Sequence, residues 1–179
     1  MKLGEAILLA AGAGTLLAIL MRDSVETLPI DDYADQESED GCDPTAKPGT
    51  VLLRQFVLAL AGEAQGAGEN IVRACAQGGA SGHKLGSAWD WFPRDRESAD
   101  GLLEMLLGPD ELGNEAALAR RLGILYAIWR RRIWRAYPPR GWQEYTGANP
   151  HTDHVHFSLS QAGALAETSG YRMMQGGLV

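Results

Sequence analysis

The four histidines of this chain lie in two short stretches. His83 sits in SGHKLGSAWD, from Ser81 to Asp90, and His151, His154 and His156 sit in HTDHVHFS, from His151 to Ser158. A chain so sparing of histidine that concentrates it this way is building one site. The fold must therefore bring two segments that are distant in sequence against each other. This is the strongest constraint that the residues place on the architecture.

The second stretch reads as a strand. HVHFSLS alternates strictly, so His154, His156 and Ser158 point to one face and Val155, Phe157 and Leu159 to the other. The apolar face goes to the core. Two imidazoles two residues apart on the open face form a metal-ligand arrangement. In the first stretch His83 and Asp90 offer one nitrogen and one oxygen ligand. Gly82 and Gly86 let the backbone fold so that both side chains converge, and the small Ser87 and Ala88 leave room for them. A zinc ion used in catalysis takes about three protein ligands and keeps a position open. His83, Asp90 and His156 supply that number.

Charge is uneven along the chain. The net charge is -7, but nine acidic residues and no Lys or Arg lie between Asp23 and Asp43. Residues 44–179 hold 14 basic and 13 acidic residues, so the folded part is near neutral. That balance argues against a general nucleic-acid binder. RRRIWR, Arg130 to Arg135, is the one basic cluster, and it reads as the solvated face of a strand or helix. The two cysteines, Cys42 and Cys75, fit either one disulfide or two free thiols. Outside the cytoplasm a bridge is expected.

Three regions follow from the pattern. Residues 1–22 carry the uncharged run AILLAAGAGTLLAILM, from Ala6 to Met21. At 16 residues it is short for a spanning helix, which wants about 17–25. It fits an uncleaved membrane anchor, a cleaved signal, or a helix that docks on an assembly partner. Residues 23–49 are acidic and poor in apolar residues, and read as a flexible linker. Residues 50–179 are the domain. Thr50 is a candidate N-cap for a helix over 51–63. NIVRAC, SAWDWF and ILYAIWRRRIW read as strands, SADGLLEMLLG and NEAALARRLG as helices, and YPPRGWQEYTGANP as a loop. Mixed short strands and separate helices indicate a compact α+β domain. Trp142 and Tyr145, in the loop before the second histidine stretch, are placed to line a cleft. Trp89, Trp91, Phe92, Trp129 and Trp134 read as core packing.

Together the two stretches resemble a family. SGHKLGSAWD fits S-x-H-x-x-G-x-A-x-D at Ser81, His83, Gly86, Ala88 and Asp90, and DHVH (Asp153 to His156) sets an acidic residue three before a histidine. The pair is similar to the zinc D-Ala-D-Ala carboxypeptidases and L-Ala-D-Glu endopeptidases of the peptidase M15 group, whose fold is that of the hedgehog signalling domain. The wider stretch, roughly residues 42–168, is similar to secreted actinobacterial and phage-lysin-type members. The resemblance implies a small antiparallel sheet with flanking helices, with zinc held by His83, Asp90 and His156. It implies Asp153 as general base and His154 as the neighbour that orients the attacking water or stabilises the oxyanion. The assignment of the base between these two stays open, because alternation puts His154, not Asp153, on the metal face. Arg73 is the nearest candidate for an upstream arginine that polarises the scissile carbonyl, and Gln77 and Ser81 are weaker candidates for substrate contact. The implied substrate is a peptidoglycan stem peptide, and the implied place is the cell envelope. The competing expectation is a non-catalytic zinc-containing module of an envelope or virion assembly.

Overall fold

The computed structural model describes residues 29–61 and 70–175. The apolar run from Ala6 to Met21 lies outside them. No helix among the described residues is long and apolar enough to cross a membrane. In chain order the elements are helix α1 (Pro48–Ala61), a 3-10 turn (Gly82–Leu85), strand β1 (Ala88–Trp91), helices α2 (Arg96–Leu107) and α3 (Ala117–Arg121), strands β2 (Ile124–Trp129), β3 (Arg132–Arg135), β4 (Gly141–Glu144) and β5 (Val155–Leu159), and helices α4 (Gln161–Ala164) and α5 (Ser169–Met174). The five strands form one sheet in the order β1-β5-β2-β3-β4, and each neighbouring pair is antiparallel. The architecture is α+β.

One face of the sheet carries the core. Alternation along β1 and β5 sends Trp89, Trp91, Val155, Phe157 and Leu159 to that side, and all are buried. Trp89 and Phe157 stack with ring centroids 6.0 Å apart. Leu53, Phe56 and Val57 of α1, and Leu102, Leu103 and Leu106 of α2, complete the cluster. The α2 spacing of i, i+1, i+4 is the apolar stripe of a helix packed on one side. Asp95 caps its start, accepting from the Ser98 N–H at 2.8 Å.

Several local expectations give way to tertiary context. ILYAIWRRRIW is two strands, not one: the chain reverses at Arg130 and Arg131, with φ of 48° and 63°. The expected loop YPPRGWQEYTGANP contains β4, which pairs with β3. NIVRAC is not a strand; it runs beside β1 with one backbone bond, Asp90 N–H to the Asn70 carbonyl, at 3.3 Å. Thr50 is no cap, because α1 begins at Pro48. Its hydroxyl is buried and donates to the Gly86 carbonyl at 2.9 Å.

The segment expected as a flexible linker is, from Pro29 on, a strap laid on the domain. The Asp31 carboxylate accepts from the Ser169 N–H at the start of α5 (3.0 Å), and Glu37 accepts from the Gln161 N–H at the start of α4 (2.8 Å). The Arg120 Nε donates to the Asp31 carbonyl at 2.7 Å. The Tyr33 ring lies under the guanidinium groups of Arg120 and Arg140, at 4.8 and 4.6 Å. A composition too acidic to form a core can still dock wherever helix N-termini and arginines offer donors. A disulfide between Cys42 and Cys75 ties the strap to the segment before His83.

Candidate metal centre

The 3-10 turn that carries His83 packs directly on the open face of the sheet. Gly82 makes this approach possible: a Cβ there would meet the Ala88 Cβ and a Glu39 carboxylate oxygen at 2.9 Å and the Ser158 Oγ at 3.0 Å. Gly86 ends the turn with φ of 66°, in the left-handed region, and its α-carbon lies against the Thr45 carbonyl of the strap. The strap holds the turn from outside. The Asp43 N–H donates to the Lys84 carbonyl (2.8 Å) and the Lys47 N–H to the Gly86 carbonyl (3.1 Å).

Strand pairing brings the other ligands together. Asp90 on β1 lies directly opposite His156 on β5, so both side chains leave the same face. The His156 Nδ1 is 2.8 Å from Asp90 Oδ1, the His83 Nε2 is 3.3 Å from the same oxygen, and the His154 Nε2 is 3.7 Å from it. Three imidazole nitrogens thus converge on one carboxylate oxygen. His83, Asp90 and His156 offer ligand atoms that all lie within 4.8 Å of one another.

The ring orientations are set from behind. His83 Nδ1–H donates to the Ile71 carbonyl at 3.0 Å, which leaves the lone pair on Nε2, the atom facing Asp90. His154 Nδ1–H donates to Asp153 Oδ1 at 2.8 Å, and its Nε2 likewise faces inward. Tyr126 on β2 stacks on His156, with centroids 5.5 Å apart, and donates its hydroxyl to Glu39 Oε1 at 2.7 Å. Ser158 donates to the same oxygen at 2.9 Å. Glu39, a strap residue, therefore anchors the floor on which His156 rests.

The donor set fits a small divalent ion. Zinc bonds of about 2.0–2.1 Å put ligand atoms about 3.3 Å apart at the corners of a tetrahedron, close to the separations of His83 and His156 from Asp90. Electrostatics agree with this. Burial alone would raise the Asp90 carboxyl, but the His156 and His83 imidazoles beside it outweigh that effect and hold the group far below the usual carboxylate range. Burial pushes the His156 imidazole down, against the pull of Asp90, so it favours the neutral, ligating form.

The remaining expected residues divide. Asp153 is exposed and touches His154 but not the ligand group; the hydrogen bond from His154 lowers its carboxyl. The side chain of Arg73 is exposed, and its guanidinium has no partner among the described residues. Its backbone N–H donates to the His83 carbonyl at 3.0 Å. Gln77 and Ser81 sit in the turns before His83, where the Ser81 hydroxyl accepts from the His83 N–H at 3.3 Å. Trp142 lies on β4 and does not reach the ligand group, whereas Tyr145 meets His151 edge-on at 5.5 Å.

One site residue was given no role from the sequence. His151 is buried, with its ring 4.8 Å from that of His154 and 5.5 Å from that of His156. Its φ is 49°, strained for a residue with a side chain. Its Nδ1–H donates to the Asn149 carbonyl at 2.7 Å. Burial, with His156 and His154 beside it, pushes its pKa down to about 4. The signal was present, since His151 shares the stretch with the two other histidines. Glu39 and Tyr126 left no such trace.

No curated protein and no solved structure matches the chain. A family model described as VldE, C-terminal domain, matches residues 42–156. The match begins at Cys42 of the disulfide and ends at His156 of the ligand group, so it spans every residue that builds the centre except the strap residue Glu39 and Ser158. On that match the chain belongs to the VldE C-terminal domain family.

Proposed function

We propose that the chain is a zinc-dependent peptidase of the cell envelope that hydrolyses an amide bond in peptidoglycan stem peptides. The observation that carries this reading is the convergence of the His83, His154 and His156 nitrogens on Asp90 Oδ1. His83, Asp90 and His156 would hold the ion. When bound, zinc supplies Lewis acidity toward the scissile carbonyl and toward water.

The chain's own residues supply the proton handling. His154 points its Nε2 lone pair toward Asp90 Oδ1, 3.7 Å away, and the Asp153 carboxylate fixes that tautomer through Nδ1. In this reading His154 takes the proton of the attacking water and returns it to the leaving amine, and Asp153 orients it and stabilises the imidazolium that forms. Asp153 then acts through His154 rather than on the water itself. Phe92, 5.1 Å from the His154 ring, limits water on that side. The exposed Arg73 is left with no role at the reacting atoms.

The Cys42–Cys75 disulfide supports an oxidising compartment, and hence a place outside the cytoplasm. The apolar run of residues 6–21 would then anchor the chain or be removed.

The test is elemental analysis of the purified chain, followed by incubation with wall fragments and mass spectrometry of the released peptides. About one zinc per chain, with cleavage that stops in Asp90→Ala, supports the reading. Wall cleavage that persists without zinc overturns it. Zinc without cleavage of any wall fragment favours a non-catalytic module.

A further inference from the structure

Along the strap one side chain turns inward. From Asp35 to Ala46 every residue is exposed except Glu39, which is half-buried. A segment that only fastened the fold would gain most by turning in an apolar group, because a carboxylate is costly to cover unless it is partnered. Glu39 is partnered, and its partners belong to the metal centre. Its Oε1 accepts from the Tyr126 hydroxyl at 2.7 Å and from the Ser158 hydroxyl at 2.9 Å. The same oxygen lies so close to Gly82 that a Cβ there would meet it at 2.9 Å.

These three contacts fall on the supports of both imidazole ligands. Gly82 precedes His83 in the 3-10 turn. Ser158 follows His156 by two residues on β5, so it leaves the same face of the sheet. Tyr126 stands opposite Ser158 on β2, which is why the two hydroxyls reach one acceptor, and its ring lies nearly parallel to that of His156, at 21°. One strap oxygen thus joins the turn that aims His83 to the two strands that hold His156. Hydrogen bonds to a charged acceptor are stronger than those to a neutral one, so the carboxylate fixes the Tyr126 ring more firmly than an amide would. The strap is pinned on both sides of it, by Glu37 at the start of α4 and by the Cys42–Cys75 disulfide beside the His83 turn.

We propose that Glu39 is a positioning residue of the metal centre, acting through Tyr126, Ser158 and the His83 turn to set the affinity for a divalent ion and the geometry in which it is held. The inference rests on the reading of His83, Asp90 and His156 as metal ligands, and on no substrate. A second carboxylate behind His156 also offsets the positive charge that a divalent ion keeps on one carboxylate and two neutral imidazoles. The coupling is reciprocal: whatever free energy Glu39 lends to ion binding, the ion returns to the docking of the strap.

The test uses the full chain and two probe ions, zinc and cobalt(II). Zinc affinity is read by competition with a chromophoric chelator, and the visible absorption of cobalt(II) reports the ligand geometry. Glu39→Gln keeps the size of the side chain and an acceptor oxygen. It is expected to weaken zinc binding by about 10- to 100-fold and to shift the cobalt band, with circular dichroism unchanged. Tyr126→Phe keeps the ring on His156 and removes the hydroxyl, so a smaller loss of the same sign is expected; it decides the matter should Glu39→Gln not fold. Glu37→Gln loosens the strap at α4, away from the ligands, and is expected to bind both ions as the parent does. Unchanged zinc affinity and cobalt spectrum in Glu39→Gln, or in Tyr126→Phe where that variant decides, overturns the proposal. An equal loss in Glu37→Gln also overturns it, since the effect is then one of strap docking in general. A parent chain that takes up neither ion refutes the metal centre and the role of Glu39 with it. Ion binding that depends on Glu39 while no wall peptide is cut refutes the peptidase and leaves the positioning role standing.

Discussion

The two faces of β5 are buried alike and built differently. On one side Val155, Phe157 and Leu159 meet Trp89 and the apolar faces of the helices. On the other, His156 and Ser158 are each held by a carboxylate, His156 by Asp90 and Ser158 by Glu39. Apolar burial stabilises in proportion to area and tolerates adjustment. Polar burial is costly unless each group finds a partner, so every residue on the open face depends on the next. One five-residue strand thus separates what holds the domain together from what gathers the candidate metal ligands.

This separation can be broken at a ligand first. Asp90→Ala removes the oxygen on which three imidazoles converge, and we expect metal analysis to fall to none per chain while circular dichroism still reports the fold. Unfolding of this variant would show that the open face also carries the core's stability. On the other face, Phe157→Ala should cost about 3–5 kcal/mol in urea unfolding and leave zinc bound per folded chain unchanged. Between the faces stands the strap. Cys42→Ser opens a disulfide across a sequence separation of 33 residues, worth roughly 3–4 kcal/mol by loop entropy. It should also weaken zinc binding, because the strap braces the His83 turn. A stability loss with unchanged zinc affinity would make the strap a fastening of the core alone.

Smaller effects sharpen the contrast. Asp153→Asn should lower turnover by about 10- to 100-fold, as loss of an orienting partner does, with zinc content intact. A drop in zinc content instead would place Asp153 among the ligands. The smallest effect lies far from the site, at the α2 cap. The Ser98 N–H and hydroxyl, with Arg94, hold the Asp95 carboxyl down to about 2, against 3.8 for an ordinary one. Because the folded value is the lower, the cap's contribution is complete above pH 3.8 and fades as pH falls through about 2. Asp95→Asn should flatten that part of the melting-temperature profile and leave neutral pH nearly unchanged.

Much of the centre was legible because it is local. Strict alternation placed His154, His156 and Ser158 together, and the glycines around His83 announced a close turn. Arg73 was singled out by its distance from His83, and the structure adds that its side chain is exposed. The hairpin was hidden because Arg130 and Arg131 are poor residues for a tight turn, so composition suggested one continuous strand. β4 was hidden because four residues without alternation become a strand only when β3 offers its edge.

The strap marks the limit most clearly. Its acidity did determine that it has no core of its own. Whether it stays in solvent depended on donors supplied by the starts of α4 and α5, by Arg120 and by Tyr126, all remote in sequence. The sequence by itself determined the candidate ligand types, the strand that carries two of the histidines, and the α+β character, because these follow from residue chemistry and short-range periodicity. Only the tertiary structure decided that Asp90 stands opposite His156, that His151 joins the cluster, and that Glu39 reaches beneath it, because each of those is a distance between segments that the chain's local preferences do not encode.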